Sequence, residues 1–182
     1  MRNWFLILSI CLFISCKEDV LPKPKAYLNL SYPTVNYKKT HEIKRYAFEI
    51  SSNAILQKQE NNWIQIKYPT LKASLNITYR PVKDNIKELL LESEKLVFKH
   101  TVKAEEIVTQ DFLNNDKNVF GTLHEISGNA ASQIQFHLTD STTHFIKGAL
   151  YFYTKPNYDS IFPAVAYIKK DILRLIETIE WK

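Results

Sequence analysis

The chain has 182 residues, 45% hydrophobic and 24% charged, which is enough apolar content to build a core and too much for a disordered chain. Its formal net charge is +5, but the basic residues are scattered and no nucleic-acid-binding motif accompanies them, so no nucleic-acid partner is expected. Three glycines and two cysteines exclude a glycine-rich phosphate loop and a disulfide framework, while ten Tyr and ten Phe favour sheet.

Arg2 stands before the apolar run WFLILSICLFI at 4–14. The run is too short to cross a bilayer, which takes roughly 20 apolar residues, and has the length and flank of a secretory leader. Phe13, Ser15 and Cys16 then resemble a bacterial lipobox, with Phe13 where Leu is usual. Cleavage between Ser15 and Cys16 would leave Cys16 as an acylated N-terminus. Several acyl chains together anchor stably where one does not. A buried N-terminal helix with an incidental cysteine is the alternative. Processing would discard Cys11 and acylate Cys16, leaving no thiol for a disulfide, a metal or catalysis. The expected organisation is therefore a lipoprotein signal peptide at 1–15, the acylated cysteine and a tether at 16–25, and one domain at 26–182. The tether, KEDVLPKPK at 17–25, is charged and stiffened by two prolines. The loose basic group Lys23, Lys25, Lys38, Lys39, Lys44 and Arg45 reads as solvated surface or as a face near anionic headgroups.

Strand signals follow. YAFEI (46–50) turns Tyr46, Phe48 and Ile50 inward, and WIQIKY (63–68) does the same with Ile64, Ile66 and Tyr68. LKASLNITY (71–79) alternates Leu71, Ala73, Leu75, Ile77 and Tyr79 against Lys72, Ser74, Asn76 and Thr78. A period of two means half-buried antiparallel strands. A helix comes next, with Asp84 as its cap and Ile86, Leu89, Leu90, Ser93 and Val97 as its buried stripe. Sheet returns after Ala104. Gly128-Asn129 reads as a two-residue hairpin turn, which sets Leu123 opposite Ile134, His124 opposite Gln133 and Gly121 opposite Phe136. HFIKGALYFYT (144–154) is apolar on both faces and is expected at the sheet centre, ended by Pro156. A closing helix is expected over 160–180, capped by Ser160, with Pro163 at its third position and a seam of Ile161, Val165, Ile168, Ile172, Leu175, Ile176 and Ile179. The fold class is α+β: a largely antiparallel sheet of seven to nine strands packed with two helices, the second C-terminal.

The five histidines, His41, His100, His124, His137 and His144, make no HExxH, HxH or i, i+4 helical pair. His100 suits the end of the first helix as a favourable charge. No GxSxG elbow is present, and no pair of acids has a spacing that assigns a role. No catalytic residue, metal or cofactor is therefore expected. The polar turns offer candidate partner surfaces: Gly128 and Asn129, Asp140 and Ser141 in TDSTTH (139–144), and Asn157 and Asp159. Each reads equally as an ordinary turn.

Five stretches together resemble one family: WIQIKYPTLKASLNITYRPV (63–82), FKHTVKAEEI (98–107), GNAASQIQFHLTDSTTHFIKGALYFY (128–153), PNYDSIFP (156–163) and ETIEWK (177–182). They are similar to GldD, the gliding-motility lipoproteins of the Bacteroidetes, over essentially the whole chain after Cys16. The resemblance implies a role in gliding motility and the associated type IX secretion, other motility and secretion proteins as partners, and no enzymatic activity or cofactor. It also implies, for some members, a cysteine pair at positions that here fall near Lys44 and Asn62. Lys17-Glu18-Asp19 resembles a surface-export signal, so a periplasm-facing lipoprotein is expected with the cell surface as the other outcome. Two rival readings stay open. One is a periplasmic carbohydrate- or lipid-binding protein using Trp63, Tyr151 and Tyr153. The other is a hydrolase, requiring His124 or His137 within hydrogen-bond reach of a serine or an acid in a cleft.

Overall fold

The computed structural model describes residues 30–99, 102–154 and 157–182. Ser15, Cys16, the tether, the expected start of order near Ala26, His100 and Pro156 lie outside the described residues.

The sheet is built from β4 (Ile55–Lys58), β5 (Ile64–Tyr68), β6 (Ala73–Pro81), β7 (Ala104–Asn114), β8 (Val119–Gly128), β9 (Ile134–Thr139) and β10 (His144–Phe152). Its order is β4-β5-β6-β10-β9-β8-β7, with every neighbouring pair antiparallel. β10 holds the centre, as its two-sided apolar pattern requires. Two small pairings flank the sheet: β1 (Tyr37–Lys39) with β3 (Glu49–Ser51), and β2 (Tyr46–Ala47) with β11 (Glu180–Trp181). The YAFEI segment thus divides between two partners instead of forming one strand. The break falls at Phe48, whose N–H donates to Thr40 Oγ1 and whose carbonyl accepts from Thr40 N–H and Oγ1–H. A threonine side chain replaces a ladder rung there, and Tyr46, Phe48 and Ile50 remain buried.

α1 (Ile86–Phe98) and α2 (Tyr158–Thr178) cover opposite faces of the sheet. The α2 seam, Ile161 through Ile176 with Ile179 just beyond it, is buried against Leu75, Ile77, Leu123, Phe136, Ile146 and Leu150. Each such aliphatic burial contributes about 1.5–3 kcal/mol. Asp171 lies within this seam, 4% exposed. Burial raises its pKa, although the hydroxyls of Tyr37 and Tyr68 pull the other way, that of Tyr37 donating to Oδ1 at 3.0 Å. α1 places Leu89, Ser93 and Val97 on the other face, with Val97 against Ile126 and Ala130, and Glu92 pairs with Lys147 at 2.9 Å.

Three local expectations are corrected. Asp84 does not cap α1: it sits in the left-handed region at φ 57°. Asn85 precedes the helix, its Oδ1 accepting from Lys83 N–H while its carbonyl accepts from Leu89 N–H. α2 starts and stops two residues earlier than expected, so Ser160 lies inside it and Pro163 is its sixth residue, where the missing N–H removes one intrahelical bond. The β8–β9 register is also different. Leu123 faces Phe136, His124 faces Gln135 and Gly121 faces Leu138, and the last rung is Ile126 N–H to the Gln133 carbonyl at 2.8 Å. Gly128-Asn129 is not a two-residue turn, because Gly128 still pairs with Ala104 on β7. The slip is two residues, so each side chain keeps its predicted face. Phe136 does cover a glycine, but it is Gly148 across β10.

Candidate functional site

The turns singled out from the sequence divide between the two ends of the sheet. Gly128, Asn129, Asn157 and Asp159 meet at one end. Asn129 Oδ1 accepts from Tyr158 N–H at 3.0 Å and so caps α2 from a distant loop. Gly128 has φ 89°, and a methyl group there would meet Glu105 N at 2.8 Å and Lys103 O at 2.9 Å. Both residues therefore have structural tasks. Asp140 and Ser141 lie at the other end, between β9 and β10. Asp140 Oδ1 accepts from the N–H groups of Thr142, Thr143 and His144 at 3.1, 2.8 and 2.7 Å. Burial pushes the Asp140 pKa up, but these donors outweigh it and leave it lowered. Ser141 takes a left-handed conformation, φ 67°, and donates its N–H to Thr139 Oγ1.

That second end gathers more than the turn. The β4–β5 connection, the end of β6, the start of β10 and the C-terminal β11 converge there. Trp63 is 37% exposed, and its indole N–H donates to the Tyr79 carbonyl at 3.0 Å, which fixes the ring. Tyr79 stands over Tyr46 at 5.9 Å between centroids and meets His144 at 5.9 Å, and His144 stacks on Trp181 at 5.2 Å and 3°. Tyr79 Oη and His144 Nδ1 are 3.0 Å apart. Burial lowers the His144 pKa; Asp140 opposes that and Arg45 reinforces it. This aromatic row braces the strand ends from the core outward.

Two open cavities of about 420 and 450 Å³ adjoin at Trp63. Lys44, Lys58, Asn61 and Asn62 line the first, and Arg45, Tyr79, Arg80 and Lys83 line the second with the same two asparagines. Lys44 and Asn62, near which the implied cysteine pair falls, both border the first cavity. Trp63 was legible as an aromatic candidate; its basic neighbours were not, because they come from three separate stretches that only the topology joins. Tyr151 and Tyr153 do not share this place. They lie toward the far end of β10, where Tyr153 Oη donates to Ser74 Oγ at 2.9 Å and accepts from Gln65 Nε2.

Among the described residues, neither His124 nor His137 has a hydrogen bond to a serine or an acid. His124 Nδ1 meets Thr109 Oγ1 at 3.0 Å. His137 is 6% exposed, stacks on Phe145 at 5.7 Å and 11°, and has no partner at Nδ1. Burial drives its pKa down to about 4, with His124 adding to the effect. Among the described residues, no group of three His, Cys, Asp or Glu side chains could hold a metal ion, and no helix is long and apolar enough to cross a membrane.

The family model described as gliding motility lipoprotein GldD matches residues 17–181. The comparison with curated proteins returns no match.

Proposed function

The chain belongs to the GldD family of gliding motility lipoproteins, and from that premise we propose that it is an envelope lipoprotein anchored through Cys16, whose α+β domain acts by binding and not by catalysis. The family match, running from residue 17 to residue 181, is the observation that carries this reading. Signal peptidase would cut between Ser15 and Cys16, and acyl chains on Cys16 would hold the new N-terminus in a leaflet. The domain organisation follows: leader at 1–15, anchor and tether at 16–25, binding domain at 26–182. Residues 17–29, the segment ahead of the first described residue, reach at most about 45 Å when fully extended. Such a tether would hold the start of the domain within that distance of the bilayer, where a multiprotein motility and type IX secretion apparatus would meet it. A fixed aromatic row and turns locked by side-chain caps support a binding role, since preorganised surfaces lose little entropy on association. Asp140 and Ser141 at one end, and Gly128, Asn129, Asn157 and Asp159 at the other, are the proposed partner surfaces. The periplasmic side is the favoured location, with Lys17, Glu18 and Asp19 as the determinant of any export to the surface.

The test is cross-linking in living cells followed by purification of the full-length protein from membranes. Recovery of motility or secretion components is the expected result. A protein that cross-links to none of them, under conditions that capture a known pair from the same apparatus, contradicts the assembly role.

A further inference from the structure

The walls around Trp63 have a composition that partner contact does not require. Lys44, Arg45, Lys58 and Lys83 are exposed and form no ion pair among the described residues. Arg80 reaches Glu92 only at 3.6 Å. One carboxylate, Glu42, shares the wall, and it accepts a hydrogen bond from His41 N–H at 3.1 Å. Five cations thus border these two cavities, where Glu42 is the one acid among the described lining residues, while Glu92 lines a third cavity beside Trp63 and Arg80. Such a concentration repels itself and is relieved by an anion.

The polar groups are equally one-sided. Part of the main chain bordering the groove is already satisfied: Gln59 N–H donates to Trp63 O, Trp63 N–H to Glu60 O, Val82 N–H to Thr143 O, and Lys182 N–H to Arg45 O. The carbonyls of Asn62 and Tyr79 accept from Tyr46 Oη and the Trp63 indole. An extended peptide would find those groups already taken. The side chains remain available. Asn61 and Asn62 are consecutive left-handed residues, φ 57° and 61°, a costly conformation that asparagine tolerates best. Their amides make no hydrogen bond among the described residues. The indole of Trp63, 37% exposed, lines both cavities with them, its N–H fixed by the bond to the Tyr79 carbonyl.

A flat aromatic face, free amides and flanking cations suit a ring that is apolar on one side, rich in hydroxyls at its edge and negatively charged. We propose that the Trp63 groove binds an acidic saccharide, a sugar chain bearing carboxylate or phosphate groups. The ring stacks on Trp63, the amides of Asn61 and Asn62 take its hydroxyls, and Arg45, Arg80 and Lys83 take its charge. The two adjoining cavities each fall within the size range of small-ligand sites, so the groove spans more than one sugar unit. This assignment stands on the groove alone and holds whether or not the motility reading does.

The test titrates the full-length lipoprotein, in a neutral detergent, with oligogalacturonate as the carboxylated probe, maltohexaose as the neutral one and polyglutamate as the acidic peptide. Calorimetry measures affinity and tryptophan fluorescence reports on the indoles. Oligogalacturonate is expected to bind, to weaken steeply as salt rises and to quench fluorescence, with maltohexaose at least tenfold weaker. The double variant R45A/K83A should lose at least tenfold in affinity, W63F should lose affinity with less salt dependence changed, and K170A on the exposed face of α2 should bind as the parent does. Urea midpoints of the variants establish that they are folded. No binding of oligogalacturonate, equal binding of maltohexaose, or unchanged affinity in folded R45A/K83A overturns the proposal. Polyglutamate binding as tightly as the sugar overturns it in favour of an acidic-peptide site.

Discussion

Gly148 and Phe136 offer the sharpest check on the strand register. They face each other across β10 and β9 on the core side, and a methyl group at 148 would overlap the Phe136 ring. Phe136 is 1% exposed, so its ring has no solvent to swing into, and Leu123 closes the space from β8. Gly148→Ala should therefore cost about 1–3 kcal/mol through overpacking. Phe136→Leu removes part of the ring and should cost about 1–2 kcal/mol, less than truncation to alanine. In the double variant the smaller side chain leaves room for the methyl, so the cost of the alanine falls toward zero. The coupling energy should be about 1–3 kcal/mol, well above the scatter of independent sites. Gly121 provides the contrast. A methyl group there would strike the His137 carbonyl and the Leu138 side chain, not Phe136, so Gly121→Ala should be as costly in the Phe136→Leu background as in the parent. Urea unfolding of the four-member cycles with linear extrapolation measures both couplings, provided the m-value is constant. Additivity at 148 and 136 within about 0.3 kcal/mol, or relief at 121 and 136 instead, would refute the register.

Two further perturbations test how the sheet face and α2 are held. His137 has a folded pKa of about 4 against 6.5 for the exposed side chain, so the unfolded chain takes up the proton first. Its stabilising contribution is complete above about pH 6.5 and is lost as pH falls toward 4, a change of about 3 kcal/mol. Burial lowers His124 and His144 in the same direction. Unfolding at pH 7 and pH 4 should show His137→Leu losing about 3 kcal/mol less than the parent over that range; parallel losses would mean the imidazole is not buried neutral. Asn129→Ala removes the acceptor for Tyr158 N–H and should cost about 1 kcal/mol, read as a lower urea midpoint. An unchanged midpoint would remove Asn129 as the cap of α2.

The alternating strands were the most legible part of the sequence. Leu71 to Tyr79 and Ile64 to Tyr68 declare their buried faces through side-chain period alone, and all of them are buried. The helix stripes are equally local, since spacing fixes which residues share a face. What the sequence could not show are the pairings made at a distance. Ser160 looked like a cap because it stands near the start of an apolar seam, while the group that receives the first free N–H is Asn129, from a loop 29 residues earlier. Gly128-Asn129 looked like a turn because those residues make turns, while the pull of β7 on Gly128 is a tertiary effect. Phe48 breaks a strand because Thr40 supplies its hydrogen bonds, which no alternation encodes. The Trp63 groove was hidden for the same reason: Lys44, Arg45, Lys58, Arg80 and Lys83 look like scattered surface charge until the strand ends are brought together. The candidate turns were visible as turns, but nothing local distinguishes a turn that caps a helix from one that meets a partner.

The proposed function depends most on an acylated Cys16 that holds the protein at a membrane. The direct measurement is mass spectrometry of its N-terminal peptide from cells, with fractionation of the parent and of Cys16→Ala. The expected result is a mature chain that begins at an acylated Cys16 and sediments with membranes, and a Cys16→Ala protein that is released or mislocalised and no longer supports gliding. An N-terminal peptide that still carries residues 1–15 joined to an unmodified Cys16, or a Cys16→Ala protein that stays in the membrane and sustains gliding, would contradict it.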